Sequence, residues 1–178
     1  MPELSPPVFR PTSRLRVLWN ISACFSVMIV CTAIYVVVCL ILFPSRRLRI
    51  YAGNAYGKIV GSTVFTIVGI KPQFRNRERI LESKPAIYVC NHSATIDMWI
   101  GMWACPWGGC GTAKREIVRL PVFGLAYLLS GHLLIDRSNK ERAIASMAKL
   151  GELVQKYKLS LWMWPEGTRS RSGRLLPL

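Results

Sequence analysis

A histidine and an aspartate five positions apart, His92 and Asp97, are the residues of this chain best suited to acid–base chemistry. They follow the apolar segment 85–90, which is typical of a strand, and reactive groups in open α/β sheets collect where strands end. A carboxylate that fixes one imidazole nitrogen leaves the other nitrogen free to take a proton. A spacing of five does not place two side chains on one face of a straight helix, so the loop must fold the aspartate back. We expect Ser93 or Thr95 to cap the next helix. A surface histidine beside an aspartate favoured by a helix N-terminus is the plainer alternative.

The second segment with chemical potential is 165–170, Pro-Glu-Gly-Thr-Arg-Ser, which follows the apolar run 159–164. Gly167 allows the backbone to come close to a ligand. Arg169 offers a planar fork that suits a phosphate group. Glu166 can accept a hydrogen bond from a hydroxyl or hold the arginine in place. The segment predicts a phosphate-binding loop, and a turn with a solvated basic tail is the alternative.

Both segments belong to a stretch in which short apolar runs alternate with amphipathic ones from about residue 70 onwards. This alternation is typical of an α/β sheet flanked by helices. The expected strands are 85–90, 111–113, 132–135 and 159–164, and the expected helices are 96–105, 121–129 and the segment that follows Ser138.

The last of these helices has two local signals. Ser138 and Glu141 form a capping box with the serine at the cap. The residues that share one apolar face of the helix are Ile144, Met147, Ala148, Gly151 and Val154. His132, in an apolar run beside Gly131, is interpreted as a core histidine.

The N-terminal third of the sequence differs in composition from the rest of the chain. Residues 1–13 carry four prolines and predict a disordered leader. Val17–Phe43 contains no charged residue and, as a helix, is about 40 Å long against a hydrocarbon core of about 30 Å. A cleaved signal peptide is disfavoured because its apolar region is usually only about 7–15 residues long. Pro44 ends the run, and residues 46–70 predict either a basic interfacial helix or a soluble-domain helix that leads into a strand.

Composition narrows the class of protein. The chain has 178 residues, and 51% of them are hydrophobic, which excludes a disordered chain. Its net charge of +15 favours an anionic partner. A lipid leaflet or a phosphate-bearing substrate fits this charge. Nucleic acid is the competitor, but no aromatic-rich binding motif accompanies the basic residues. The six cysteines show no zinc or redox spacing, so we expect free thiols in a reducing compartment and no metal.

Taken together, the two motifs are far more specific than either alone. Asn91-His92, four residues and Asp97, followed by the 165–170 motif, resemble the 1-acylglycerol-3-phosphate acyltransferase family. The block 113–117, Ala-Lys-Arg-Glu-Ile, supports the match, as do four later features: Pro121, Gly124, Gly131 and Asp136-Arg137. The resemblance covers residues 65–178. It implies a mixed sheet flanked by helices, the glycerolipid acyltransferase fold, behind an N-terminal hydrophobic membrane-anchoring helix.

The resemblance also implies roles for individual residues. His92 would be the general base on the acceptor hydroxyl, and Asp97 its partner. The residues implied in substrate binding are Glu166, Gly167, Thr168, Arg169 and Lys114. The acyl donor would be acyl-CoA or acyl carrier protein, with no cofactor and no metal. Since the chain has no G-x-S-x-G elbow, it offers no nucleophilic serine for a covalent acyl-enzyme.

The implied function is transfer of a fatty acyl group to the sn-2 hydroxyl of 1-acylglycerol-3-phosphate, which gives phosphatidic acid. Glycerol-3-phosphate or another lysolipid is the alternative acceptor, and a truncated, non-catalytic membrane scaffold is the alternative of another class. We expect residues 14–64 to anchor the chain in, or lay it on, the inner, cytoplasmic membrane. Residues 65–178 would then form a catalytic domain that faces the cytoplasm. Because family members continue past the 165–170 motif, we expect this domain to lack its C-terminal part.

Overall fold

The computed structural model describes residues 12–76, 78–79 and 85–169. The first eleven residues of the expected disordered leader, and residues 170–178, lie outside the described part. Two long N-terminal helices come first, and a four-stranded sheet with its flanking helices follows.

The first helix, α1, spans Arg14–Ile41, close to the predicted apolar run. The Ser13 hydroxyl caps it by accepting the Arg16 N–H, and the helix ends shortly before Pro44. With 28 residues it is long and apolar enough to cross a membrane. Its buried residues, Met28, Thr32, Tyr35 and Cys39, recur at helical spacing on one face. The half of α1 before Met28 has no buried residue in the described part of the chain, so its side chains there are exposed or only partly covered.

The second helix, α2, spans Arg46–Val68 and ends at Gly69, whose φ of 75° makes it a left-handed cap. Because the helix continues to Val68, the alternative of a helix that leads into a strand within residues 46–70 is wrong. Tertiary packing decides this point, because Val64 and Phe65 are buried and the Phe65 ring meets the Trp103 ring edge-on. The expected domain boundary between residues 64 and 65 falls inside this helix.

The sheet has the order β1-β4-β2-β3, and every described pair is parallel. The strands are β1 (Ile87–Val89), β2 (Gly109–Lys114), β3 (Leu133–Ile135) and β4 (Ser160–Met163). An antiparallel pair, which a mixed sheet would also allow, does not occur among these four strands. Since parallel strands end at the same edge, the loops after β1 and β4 are neighbours. The predicted α/β sheet flanked by helices is confirmed.

Three helices and one 3₁₀ helix connect the strands. They are α3 (Asp97–Ala104), the 3₁₀ helix Arg115–Arg119, α4 (Phe123–Leu129) and α5 (Lys140–Tyr157). Their order between the strands follows the predicted alternation.

Two predictions about α5 are wrong. The N-cap is Asn139, whose side-chain oxygen accepts the Arg142 N–H at 2.8 Å, while the Ser138 hydroxyl accepts from the Arg142 guanidinium. Starting one residue later moves the glutamate out of the capping-box position. The buried face carries Leu150 and Leu153, whereas the predicted face, led by Ile144, is exposed. The apolar residues occupy two faces of this helix, and the sheet selects the one with the leucines.

Polar side chains join α2 to the α/β layer. The Asn54 amide donates to the Gly109 carbonyl at 2.9 Å and accepts the Gly108 N–H at 2.8 Å. The Lys58 ammonium donates to the Cys105 carbonyl at 2.7 Å, at the end of α3. The Arg46 guanidinium donates to the Gly131 carbonyl at 2.8 Å, just past α4. The second N-terminal helix is thus part of the frame that positions the loops of the sheet.

Candidate functional site

The loop after β1 brings the predicted pair together. His92 Nδ1 lies 3.1 Å from Asp97 Oδ2, and Asp97 is the first residue of α3. The predicted caps are wrong: the N-cap position is held by Ile96 without a side-chain hydrogen bond. The Asp97 carboxylate replaces them, because it folds back over the turn and accepts the N–H groups of Ser93 and Ala94, each at 2.7 Å.

These hydrogen bonds keep the Asp97 carboxyl ionised and select the tautomer of the His92 ring. Burial raises the pKa of Asp97, but the Ala94 N–H, the His92 ring and the Ser93 N–H together outweigh it and hold the pKa below its usual value. An ionised carboxylate can only accept hydrogen bonds, so His92 Nδ1 must be the donor. The neutral imidazole then has its lone pair on Nε2. This is the arrangement that a general base requires.

His92 lines a cavity of about 370 Å³. The Trp164 ring lies beside the imidazole at a centroid distance of 5.5 Å.

The second motif meets the first across the sheet edge. Glu166 Oε1 accepts the backbone N–H of His92 at 3.0 Å. Arg169 donates to the Thr95 hydroxyl at 2.6 Å. The loop that carries the motif is thereby tied at two points to the loop that carries the base, and the guanidinium lies at the rim of the same site.

Gly167 shapes the loop that carries the second motif. Its φ is 65°, a conformation that favours glycine, and its N–H closes a turn on the Trp164 carbonyl at 3.1 Å. The Arg137 guanidinium donates to the Gly167 carbonyl at 3.1 Å and occupies the space that a Cβ would need. Thr168 is exposed beside it.

Lys114 is the last residue of β2 and lines the same cavity as His92. Strand β2 pairs with β4, so its end lies at the same sheet edge as the motif loop. The structure therefore brings all seven predicted site residues to one edge of the sheet.

Three further residues complete the site: Trp164, Thr95 and Arg137. Thr95 had been assigned to a helix cap, and Arg137 only to a supporting block. Trp164 immediately precedes the 165–170 motif, so its position was the available signal. Their contacts depend on which loops meet, and sequence spacing does not encode that.

The cavity extends away from the site towards the N-terminal helices. Its walls include Met98 and Met102 of α3, Phe123 of α4, and the stacked rings of Tyr35 and Tyr56. His132 also lines it and accepts the Gly111 N–H on Nδ1 at 3.1 Å. The space is bounded mainly by apolar side chains and suits an alkyl chain.

The six cysteines are free thiols. Burial raises the pKa of Cys105 to about 12 and that of Cys110 to about 11, so both stay protonated near neutral pH. Among the described residues, no three His, Cys, Asp or Glu side chains form a group that could hold a metal ion.

Comparison with known proteins agrees with this geometry. The profile of the family described as Acyltransferase matches residues 71–178. The 1-acyl-sn-glycerol-3-phosphate acyltransferase of Limnanthes douglasii is 40% identical over 159 residues, which cover 89% of this chain and 56% of the relative. That of Cocos nucifera is 42% identical over 158 residues, which cover 89% of this chain and 51% of the relative. This chain thus spans about half the length of the curated relatives it matches.

A solved structure shares the fold. The crystal structure of the 1-acyl-sn-glycerophosphate acyltransferase PlsC from Thermotoga maritima superposes with a TM-score of 0.63 at 19% identity, covering 90% of this chain and 66% of that one. The family profile covers more than half of the chain, including both loops of the site. With its paired histidine and aspartate at the edge of a parallel sheet, the chain belongs to the acyltransferase family.

Proposed function

We propose that the protein transfers a fatty acyl group from a thioester, acyl-CoA or acyl carrier protein, to the sn-2 hydroxyl of 1-acylglycerol-3-phosphate, giving phosphatidic acid. The observation that carries the proposal is the His92–Asp97 pair, which is held at 3.1 Å and whose histidine lines the cavity. The names of the relatives supply the acceptor class.

The proposed reaction uses the tautomer of His92 that has its proton on Nδ1 and its lone pair on Nε2. His92 Nε2 takes the proton of the acceptor hydroxyl as the oxygen attacks the thioester carbonyl carbon. The tetrahedral intermediate collapses, the carbon–sulfur bond breaks, and the imidazolium returns the proton to the leaving sulfur. Asp97 stabilises the imidazolium while it exists. General-base help of this kind typically contributes about 10²–10⁴-fold in rate, and the rest comes from holding the two substrates together.

Arg169 and Lys114, the basic residues at the rim of the site, suit an acceptor that carries a phosphate group. The Arg169 guanidinium lies beside Thr95 in the loop of the proposed base, so a phosphate bound there would leave the neighbouring sn-2 hydroxyl near His92. Lys114 is the second cation at this edge. A charge-assisted contact from arginine is the strongest that the site offers a phosphate group.

We further propose that the protein resides in the inner, cytoplasmic membrane with its α/β layer facing the cytoplasm. Helix α1 indicates membrane association. Free thiols suit a reducing compartment, and the net charge of +15 suits the anionic cytoplasmic leaflet.

The test is an acyl-transfer assay on membranes that contain the protein. Each acceptor, lysophosphatidate or glycerol-3-phosphate, is offered with each donor. We expect transfer to lysophosphatidate, and a fall in turnover of about 10²–10⁴-fold in His92→Ala. The control is Gln155→Ala on the exposed side of α5, which should keep the parent rate.

Three outcomes would contradict the proposal in different ways. Transfer only to glycerol-3-phosphate would assign the protein to a neighbouring acceptor. Near-normal turnover in His92→Ala would remove this residue as the base. No transfer to any acceptor by an intact, membrane-bound protein would favour the scaffold alternative.

A further inference from the structure

The segment Val118–Leu128 carries an exposed apolar patch that the site does not use. It comprises the end of the 3₁₀ helix, the following turn and the outer face of α4. The exposed apolar residues of this patch are Val118, Leu120, Val122, Leu125 and Leu128. Five such side chains within eleven residues form a patch of the kind that marks a lipid or protein contact.

The other face of α4 packs against the rest of the protein. Ala126 packs against Tyr35 and Cys39 of α1 in a shared core cluster. Phe123 and Tyr127 line the cavity. Helix α4 therefore separates the cavity, on one of its faces, from the exposed patch on the other.

The helix that carries the patch packs against α1. The cluster around Ala126 joins α4 to the C-terminal half of α1, where Ile34, Val37 and Leu40 are exposed. Two helices that contact one another therefore both present exposed apolar side chains.

The charges beside the patch favour one partner. Arg119, at the end of the 3₁₀ helix, is exposed. Arg115, at its start beside the exposed Glu116, is also exposed and is paired with Asp136 at 3.0 Å. The basic start of α2, with Arg46 and Arg49, is bonded to the end of α4. Apolar side chains bordered by arginines match the boundary between the acyl chains and the anionic headgroups of a bilayer.

We propose that the Val118–Leu128 patch is a second membrane contact, in which Leu125 and Leu128 enter the acyl region of an anionic leaflet. The α4 wall of the cavity then lies against the bilayer. This contact is separate from the anchoring by α1, and it does not depend on the proposed reaction.

The experiment uses photo-crosslinking to lipid, with p-benzoylphenylalanine placed at single positions in the otherwise unchanged protein. Leu128 is the test position and is 62% exposed. Ile144 on α5 is the matched control, since it is also an exposed aliphatic side chain, at 59%, but lies outside the patch. Val30 on α1 is the positive reference. The proteins are reconstituted in vesicles of phosphatidylcholine and phosphatidylglycerol that carry radiolabelled acyl chains.

We expect lipid adducts at position 128 to approach those at position 30 and to exceed those at position 144 by about tenfold, because only the patch would reach the acyl region. Lipid adducts at position 128 no greater than at position 144 would overturn the proposal. So would adducts to a second protein in place of lipid. Leu125 is the alternative test position if labelling at 128 disturbs folding, which tryptophan fluorescence reports. Enzymatic activity is not the readout, so failure here leaves the proposed reaction untouched.

Discussion

At the scale of single residues, the most informative group is the Asp97 carboxylate. One oxygen accepts three hydrogen bonds, from the Ser93 and Ala94 N–H groups and from the His92 ring. The two backbone donors hold the carboxylate in place independently of the imidazole. The proposed base is therefore oriented before any substrate arrives, which is the preorganisation that the proposed reaction requires.

The second histidine, His132, has a different character. Its Nδ1 accepts the Gly111 N–H, so in this tautomer the ring is neutral. Burial, followed by the nearby Arg46, lowers its pKa from 6.5 to about 4. Protonation of Nδ1 would break the bond to β2. The contact fits the interpretation of His132 as a structural histidine.

This environment predicts a pH-dependent stability. Between about pH 6.5 and about pH 4 the unfolded chain binds a proton at this position and the folded chain does not. The free energy of unfolding should therefore fall as the pH falls through this window, by at most about 3 kcal/mol at about 1.4 kcal/mol per pKa unit. The measurement is urea unfolding in detergent micelles, followed by tryptophan fluorescence, at several pH values.

His132→Gln is the matched variant, because its amide can still accept a hydrogen bond but does not titrate. Its free energy of unfolding should vary less across the same window. Equal pH dependence in both proteins would assign the effect to other groups.

At the scale of elements, α2 links the membrane-associated helix α1 to the sheet. Its contacts with the loop before β2 pass through Asn54, which is buried and bonded to both Gly108 and Gly109. Glycines on the same helix permit close approach: a Cβ on Gly57 would meet the Met102 carbonyl at 2.7 Å. Helix α2 is therefore a structural part of the α/β layer.

Asn54→Leu should destabilise the fold by about 2–4 kcal/mol. The substitution leaves a buried N–H and a buried carbonyl without partners, each at a cost of about 1–3 kcal/mol. The control is Ser62→Ala, since Ser62 is exposed on α2 and its hydroxyl donates to the Ile59 carbonyl within the same helix. It should stay within about 0.5 kcal/mol of the parent. Chemical unfolding in micelles measures both, and equal stability of the two variants would show that the Asn54 contacts do not hold α2 in place.

At the scale of the whole molecule, the site depends on the parallel sheet. Glu166 and His92 are 74 positions apart in the chain, as are Arg169 and Thr95, yet both pairs are hydrogen-bonded. The loops meet because β1 and β4 are adjacent and run in the same direction. No local segment contains both the base and the proposed phosphate ligand.

The separation of these two functions predicts a split kinetic effect. Arg169→Ala should raise the KM for lysophosphatidate by about 10–100-fold, since a charge-assisted hydrogen bond contributes about 1.5–3 kcal/mol. It should change turnover little, because the base is intact. The KM for a neutral monoacylglycerol acceptor should change by less than about threefold, since that acceptor has no phosphate for the guanidinium to bind.

Steady-state assays in mixed micelles measure these parameters. Lys149→Ala, an exposed cation on α5, controls for the loss of one positive charge and should leave both KM values unchanged. An equal loss with both acceptors in Arg169→Ala would remove the phosphate role.

Much of this arrangement was predictable from local patterns. The apolar run predicted α1 and the alternation of short segments predicted the α/β order, and the fold confirms both. The two motifs supplied the proposed base and the proposed phosphate loop, and these roles stay predictions. All of these signals are encoded within a few neighbouring residues.

The predictions that were wrong depended on contacts between distant residues. The buried face of α5 was misassigned because that helix has apolar residues on two faces, and only packing on the sheet selects Leu150 and Leu153. The caps of α3 were misassigned because the Asp97 side chain supplies the turn bonds that Ser93 or Thr95 would have made.

The amino-acid sequence by itself determined which residues can do chemistry and which segment is apolar enough for a membrane, because side-chain chemistry and hydrophobic periodicity are local properties. Tertiary structure alone decided that Glu166 accepts a hydrogen bond from the His92 backbone and that Trp164 flanks the imidazole. It also decided that α2 is joined to the α/β layer. Strand order and helix packing bring these groups together, and both arise from burial summed over the whole chain.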